Sequence, residues 1–176
     1  MKFETRQRIR GTVEEVERAL ADERYIPFLL QHHGVLLEAQ VLEMSDSGGR
    51  ILRKVRYRPK PVIKSIGPRE VPPEWFAFVE TSTYDRARRE LHFQNVPTTH
   101  GISKMMLNSG TLRLRDVGGQ CERTIEGEIK LVLPLFLKAL AMVGERIIQH
   151  EGLKILDGEV PVLDRFLAEI LRRPAS

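Results

Sequence analysis

Apolar positions along the chain change their spacing three times, and each change marks a new kind of element. From Lys2 to Arg10 the residues are mostly polar, with Phe3 and Ile9 on one face at strand spacing, which predicts a weakly patterned strand. Gly11 ends it. Thr12 followed by Glu15 then forms a capping box, in which hydroxyl and carboxylate satisfy orphan N–H groups at a helix start. Val13, Val16, Ala19 and Leu20 line one face of that helix. Asp22 opens a second short helix carrying Tyr25, Phe28, Leu29 and Leu30, and Pro27 fits only its first turns.

After His32, His33 and Gly34 the period drops to two. Val35 to Ser45 and Arg50 to Arg58 predict a hairpin closed over residues 45–49, with Ile51, Val55 and Tyr57 alternating against Lys54, Arg56 and Arg58. Four more strands are expected at Trp75 to Tyr84, Arg88 to Val96, Lys104 to Asp116 and Gln120 to Val132. In the last of these Ile125, Gly127, Ile129 and Leu131 face one way, and Gly127 leaves room for a close approach by a helix or a ligand. Between hairpin and later strands, residues 59–74 carry five prolines yet keep Val62, Ile63, Ile66 and Val71, a composition that fits a functional loop better than a featureless linker.

The period changes again at Pro134, which a first helical turn accepts and a strand interior does not. Leu135 to Val143 is apolar nearly all round, with Lys138 its one charge, so this helix must be covered on several sides. The apolar run is too short to cross a bilayer, which takes roughly twenty residues. From Glu145 the helix becomes amphipathic and is expected to run to about Asp157. Gly158 and Pro161 predict a kink, followed by a separate segment over 162–172 with Leu163, Phe166, Leu167 and Ile170 on one face.

This order predicts an α+β fold: a curved antiparallel β-sheet of about six to seven strands wrapped around a long C-terminal α-helix, with two short helices after the first strand. A curved sheet gripping one helix leaves a cavity where their radii do not match. At 176 residues the chain suits a single domain spanning 1–176, and its 41% hydrophobic and 30% charged content is that of an ordinary globular protein. One cysteine, Cys121, and an N-terminus without an apolar leader make a cytoplasmic location the expectation. The net charge of +4 is a mild excess, and with aromatics at 6% no nucleic-acid partner is expected.

The opening MKFETRQRIRGTVEEVERAL, the stretch RKVRYRPKP with its apolar-basic loop, WFAFVETSTYD leading into RRELHFQNV, and GEIKLVLP feeding the long helix resemble the START-like superfamily, also called SRPBCC or helix-grip. Within it the chain looks most like bacterial uncharacterised START-like proteins and PRELI-type phospholipid transfer proteins. It departs from the PRELI pattern in the prolines of IGPREVPPEW and in Gly152 and Gly158.

The resemblance implies a hydrophobic ligand, with a lipid the favoured class, held between sheet and helix and carried or sensed there. The wall would come from Phe136, Leu140, Val143 and Ile147 on the helix and from Trp75, Phe78, Phe93, Met105, Met106 and Leu107 on the sheet, unless these residues simply fill a core. A ligand's polar group needs a buried partner. Arg53, which interrupts the apolar register of its strand between Ile51 and Val55, is one candidate, and Tyr57 is another; Lys104 and Asn108 flank the methionines. The alternative for Arg53 is an edge residue whose stem snorkels to water. In the loop, Ile63, Ile66 and Val71 beside Lys60, Lys64 and Arg69 suit either a lid over the cavity or a transient contact, peripheral at the membrane, with an anionic bilayer.

Enzymatic motifs are missing: no H-E-x-x-H, G-x-S-x-G, P-loop or C-x-x-C occurs, and no cofactor or metal is expected. Adjacent histidines do not share a helix face, so His32 and His33 are expected to cap the second helix rather than to bind metal. Cys121 follows a Gly-Gly turn that would expose it, with no base nearby in sequence. Two other classes remain open: a small-molecule cyclase or hydrolase of the same fold, which clustered ionisable side chains in the cavity would favour, and an interaction module with a solid-packed interior.

Overall fold

The computed structural model describes residues 1–61, 65–66, 69–70, 72–99, 106–132 and 138–172, and among them the side chains of 65, 66, 69 and 138–143 are left aside. Strand β1 (Lys2–Ile9) is followed by helices α1 (Val13–Leu20) and α2 (Tyr25–His32). The hairpin β2 (Leu36–Asp46) and β3 (Arg50–Pro59) comes next, then a small two-stranded ribbon, β4 (Ser65–Ile66) and β5 (Arg69–Glu70), and a single 3₁₀ turn at Pro73–Phe76. Strands β6 (Phe78–Asp85), β7 (Glu90–Pro97), β8 (Met106–Val117) and β9 (Gln120–Leu131) lead to α3 (Lys138–Phe166), which ends in one wider π-type turn, Leu167–Leu171.

The main sheet has seven strands in the order β1-β9-β8-β7-β6-β3-β2, with antiparallel pairing throughout. It is a meander whose first strand returns beside its last, and it curves around α3. The capping box at α1 is formed in both directions: Thr12 Oγ1 accepts from the Glu15 amide at 3.2 Å, and the Glu15 carboxylate accepts from the Thr12 amide at 2.8 Å. That start aims Val13, Val16 and Ala19 into the core. They meet Ile9, Cys121 and Ile125 of the sheet and Leu163, Phe166 and Leu167 of the terminal helix. Phe166 lies edge-on to Tyr25 and Phe28, with ring centroids 5.2 and 5.3 Å away.

Two expectations are corrected here. The kink does not divide the terminal segment: α3 runs without interruption through Gly158 and Pro161. Pro161 is exposed, so its ring points to water, while Val162, Leu163, Phe166 and Leu167 are buried against the shared core and hold both halves as one helix. The expected helix start near Pro134 lies outside the described residues. The second correction is Trp75, which belongs to the 3₁₀ turn rather than to a strand, because Pro72 and Pro73 favour a turn and withdraw two N–H donors from any ladder.

The two histidines also part company. His32 Nδ1 lies 2.9 Å from the Phe28 carbonyl in the last turn of α2, as a capping role requires. His33 instead turns to α3, with Nε2 2.9 Å from the Ile155 carbonyl, and its ring packs where a Cβ at Gly158 would stand, 3.0 Å from Nε2.

Candidate functional site

The alternation of each strand sends one set of side chains to the concave face, the side on which α3 lies. Most of that set is apolar, but in the middle strands polar residues take apolar positions. On β3 the inward residues are Ile51, Arg53, Val55 and Tyr57; on β6 they are Phe78, Glu80, Ser82 and Tyr84. On β7 and β8 Asn95 and Asn108 point the same way. Register brings them together. Glu80 is directly opposite Asn95, Asn95 opposite Asn108, and Arg53 opposite Ser82. Facing residues on neighbouring antiparallel strands hold their Cβ atoms about 5 Å apart, so Glu80, Asn95 and Asn108 form one continuous polar row.

This row, and Arg53 and Ser82 beside it, find few partners among the described residues. Arg53 is about nine-tenths buried, and among the described residues its side chain makes a single long polar contact, Nη2 to Glu80 Oε1 at 3.4 Å. Its Nε and Nη1, the Ser82 hydroxyl, and the amide oxygens of Asn95 and Asn108 are buried without a protein partner among the described residues. Each such group costs about 1–3 kcal/mol when left unpaired. Burial works against the Arg53 charge, yet Tyr57, Glu80 and Glu159 keep its pKa above the ordinary value. Burial pushes the Tyr57 phenol far up, reinforced by Glu80, so it keeps its proton and stays a donor. Its ring leans on Phe78, centroids 5.5 Å apart.

A second buried polar group borders the first. Arg123 Nη1 donates to Glu159 Oε2 at 2.8 Å, and its Nε and Nη2 both donate to Gln7 Oε1. Tyr25 donates to Glu159 Oε1 at 2.7 Å, and Gln7 donates to Asp157 at 2.7 Å. These groups pair with one another and tie α3 to β1, β9 and α2.

The other proposed wall residues are distributed unevenly. Phe78, Phe93 and Met106 share the concave face, and Ile147 is half-buried on α3. Phe93 rests on Gly110 and Phe3 on Gly127, so the close approach that Gly127 permits is made by the Phe3 ring, neither helix nor ligand. Leu107 points to the convex face and is 52% exposed, and Trp75 is 44% exposed. Lys60 is exposed and donates to the Gly34 carbonyl at 2.6 Å. Met105, Phe136, Lys104, Ile63, Lys64 and Val71 lie outside the described residues, as do the side chains of Leu140, Val143, Ile66 and Arg69. Cys121 is fully buried rather than exposed, and burial pushes its thiol up to about 11, which argues against a nucleophile.

Sequence reasoning singled out Arg53, Tyr57 and Asn108 but missed Glu80, Ser82, Asn95, Arg123 and Glu159. The signal that found Arg53 was available for the strand residues: Phe78-Glu80-Ser82-Tyr84, Leu91-Phe93-Asn95 and Cys121-Arg123-Ile125 each place polar residues on an apolar register. Shallow hollows elsewhere, over Thr81, Thr83, His92 and Thr111 on the convex face and over Lys2, Glu4 and Glu126 beside β1, gather no comparable chemistry. No group of three or more potential metal ligands occurs among the described residues.

No protein-family model matches the chain, and no curated protein does. Solved structures do. The protein TTHA0849 from Thermus thermophilus is similar with a TM-score of 0.63 at 16% identity, over 97% of this chain and 99% of that one. The Zhui aromatase/cyclase from a Streptomyces species gives 0.59 at 12% identity, over 98% and 96%. Norcoclaurine synthase from Thalictrum flavum, in complex with dopamine and hydroxybenzaldehyde, gives 0.63 at 13% identity, over 99% and 89%. Likeness at such identities establishes architecture, and the chain therefore has the helix-grip α+β fold.

Proposed function

We propose that this protein binds an amphiphilic small molecule, a lipid with a polar head being the favoured class, between the concave face of the sheet and α3, and carries or senses it. The observation that carries this reading is the cluster of polar groups at Arg53, Glu80, Ser82, Asn95 and Asn108 on the concave face, set among apolar neighbours, of which all but Glu80 carry buried atoms without a partner among the described residues. An apolar body would lie against Phe78, Phe93 and Met106 while its polar end reaches the row. The START-like and PRELI-type resemblance of the sequence points to the same ligand class, and two of the solved neighbours are enzymes acting on small molecules by their names.

Native mass spectrometry of gently purified protein, followed by organic extraction, tests it. A co-purifying adduct is expected, lost when Asn95 and Asn108 are both replaced by Leu in a protein that keeps its circular-dichroism spectrum. Absence of any adduct, together with no uptake from lipid mixtures, would sink the proposal.

A second reading, a cyclase or hydrolase on the same face, is favoured by one observation: Arg53, Glu80 and Tyr57 offer a cation, a carboxylate and a phenol O–H in one buried cluster. Recovery of the added ligand chemically altered, with the change abolished by Glu80→Gln, would raise it above carriage.

The lid or membrane role of residues 59–74 is proposed alongside. Its support is the set of exposed apolar residues at the same end of the sheet: Trp75 before β6, Val96 closing β7, Leu107 opening β8 and Val132 after β9.

A further inference from the structure

We infer that Gly152 is the size filter of the ligand site: the side chain it lacks leaves, between α3 and the sheet, the space that receives the ligand's apolar body. This rests on the binding reading above and adds the residue that sets which ligands fit. At about 100° per residue, Glu145, Glu159 and Leu163 all lie within about 20° of Gly152 around the axis of α3. Each of the three is turned to the sheet or the core: Glu145 accepts from the Leu131 amide at 2.9 Å, Glu159 accepts from Arg123 at 2.8 Å, and Leu163 is buried. Gly152 is therefore centred on the stripe that α3 turns inward. Even so, a Cβ built there would meet no described residue within 4 Å, whereas one at Gly144 would crowd Leu131 and one at Gly158 would crowd His33. Glycine is the poorest helix former after proline, so its place in mid-helix needs a reason. Gly144 and Gly158 each admit a neighbour, and Gly152 keeps open a gap.

The gap has a floor and a polar end. Glu145 and Glu159 anchor α3 to β9 at Leu131 and Arg123; Gly152 is midway between the anchors and Gly127 midway between their partners, so the two glycines oppose each other across the interface. The Phe3 ring covers Gly127, and the Phe93 ring covers Gly110 beside it, so the surface below Gly152 is aromatic. The same cross-strand row runs on from Gly110 through Phe93 and Ser82 to Arg53. Ser82 is buried and Arg53 nine-tenths buried, and Ser82 Oγ and Arg53 Nε and Nη1 find no partner among the described residues. On α3, Ile148 and Leu156, one turn to either side of Gly152, are half-buried. A space with apolar walls and unused polar atoms at one end suits an amphiphile, and what stands at position 152 limits its width.

The test follows the fluorescence of N-phenylnaphthylamine taken up by the whole protein, and its displacement by oleyl alcohol. Gly152→Leu fills the gap and is expected to lower the affinity for probe and alcohol at least about tenfold, since the ligand gives up contacts equal to one apolar side chain. His150→Leu, which adds the same side chain on the exposed side of α3, is expected to bind as wild type does. Gly152→Ala is expected to melt about 2–4 °C above wild type, because an uncrowded helix position gains from alanine. A packed glycine would give the reverse. A smaller loss in Gly152→Leu, an equal loss in His150→Leu, failure of Gly152→Leu to fold, or a Gly152→Ala variant that melts at or below wild type overturns Gly152 as the filter and leaves the binding reading intact. Failure of the wild type itself to take up either probe or alcohol takes down the binding reading and the inference with it.

Discussion

Arg123 and Glu159, on β9 and α3, meet as a buried ion pair at 2.8 Å, with side chains only 5% and 19% exposed. Burial opposes the ionised Glu159, but Arg123, together with the Tyr25 hydroxyl, holds its carboxyl below the ordinary range. Removing one member leaves the other charged in a dry setting, so Arg123→Met is expected to lower stability by about 3–5 kcal/mol in urea unfolding. Arg123→Met with Glu159→Leu should recover much of that loss. If the single variant is as stable as wild type, the pair is not what fastens α3 to the sheet.

The glycine pair Gly110 and Gly127, directly opposed on β8 and β9, thins the middle of the concave face. A Cβ at Gly110 would stand 2.7 Å from Phe93 Cζ and 2.8 Å from the Gly127 Cα, and closer still to the Glu126 carbonyl oxygen. Backbone cannot yield as a flexible side chain does. Gly110→Ala should therefore cost at least about 1–3 kcal/mol, the usual range for overpacking. Gly127→Ala, which confronts mainly the Phe3 ring, should cost less. Thermal melts of the two variants would show the order.

Glu15 links helix α1 to Arg172, just after the π-type turn that ends α3. Hydrogen bonds from Arg172 come first among the causes that hold its carboxyl down, to about 2, against opposing burial, and the Thr12 amide adds to them. The unfolded chain takes up this proton near 4.5 and the folded chain only near 2. The unfolded state thus binds more protons in that interval, so the stability contributed by the contact is complete above 4.5 and is lost as pH falls toward 2. Glu15→Gln should be less stable at neutral pH and show a flatter pH dependence across this window, measured by urea unfolding at a series of pH values.

Exposed Trp75 and Leu107 provide the check on membrane contact. Wild-type protein is expected to co-sediment with vesicles containing phosphatidylglycerol, and Trp75→Glu/Leu107→Glu to weaken that association by about tenfold or more, since burying one such side chain is worth about 1.5–3 kcal/mol. Unchanged sedimentation would remove these residues from any bilayer contact.

Much of the architecture was legible in local pattern. The Thr12–Glu15 capping box involves residues three apart, and strand alternation is a property of neighbours, so both could be read directly. Arg53 was legible as well, because a charge between Ile51 and Val55 breaks its own strand's rule. The continuity of α3 was not. Gly158 and Pro161 weaken a helix locally, and only the packing of Phe166 and Leu167 against α1, α2 and the sheet overrides them.

The sequence by itself determined most of the elements, their order, the α+β class with a curved antiparallel sheet on a long terminal helix, and the one arginine out of register. Tertiary structure alone decided which groups share a site. Asn95 meets Asn108 because β7 and β8 pair in one register, and Gln7 reaches Arg123 because β1 closes the sheet beside β9. Those partners are set by strand pairing and long-range packing, and a residue's sequence neighbours carry no record of which distant strand will lie opposite it.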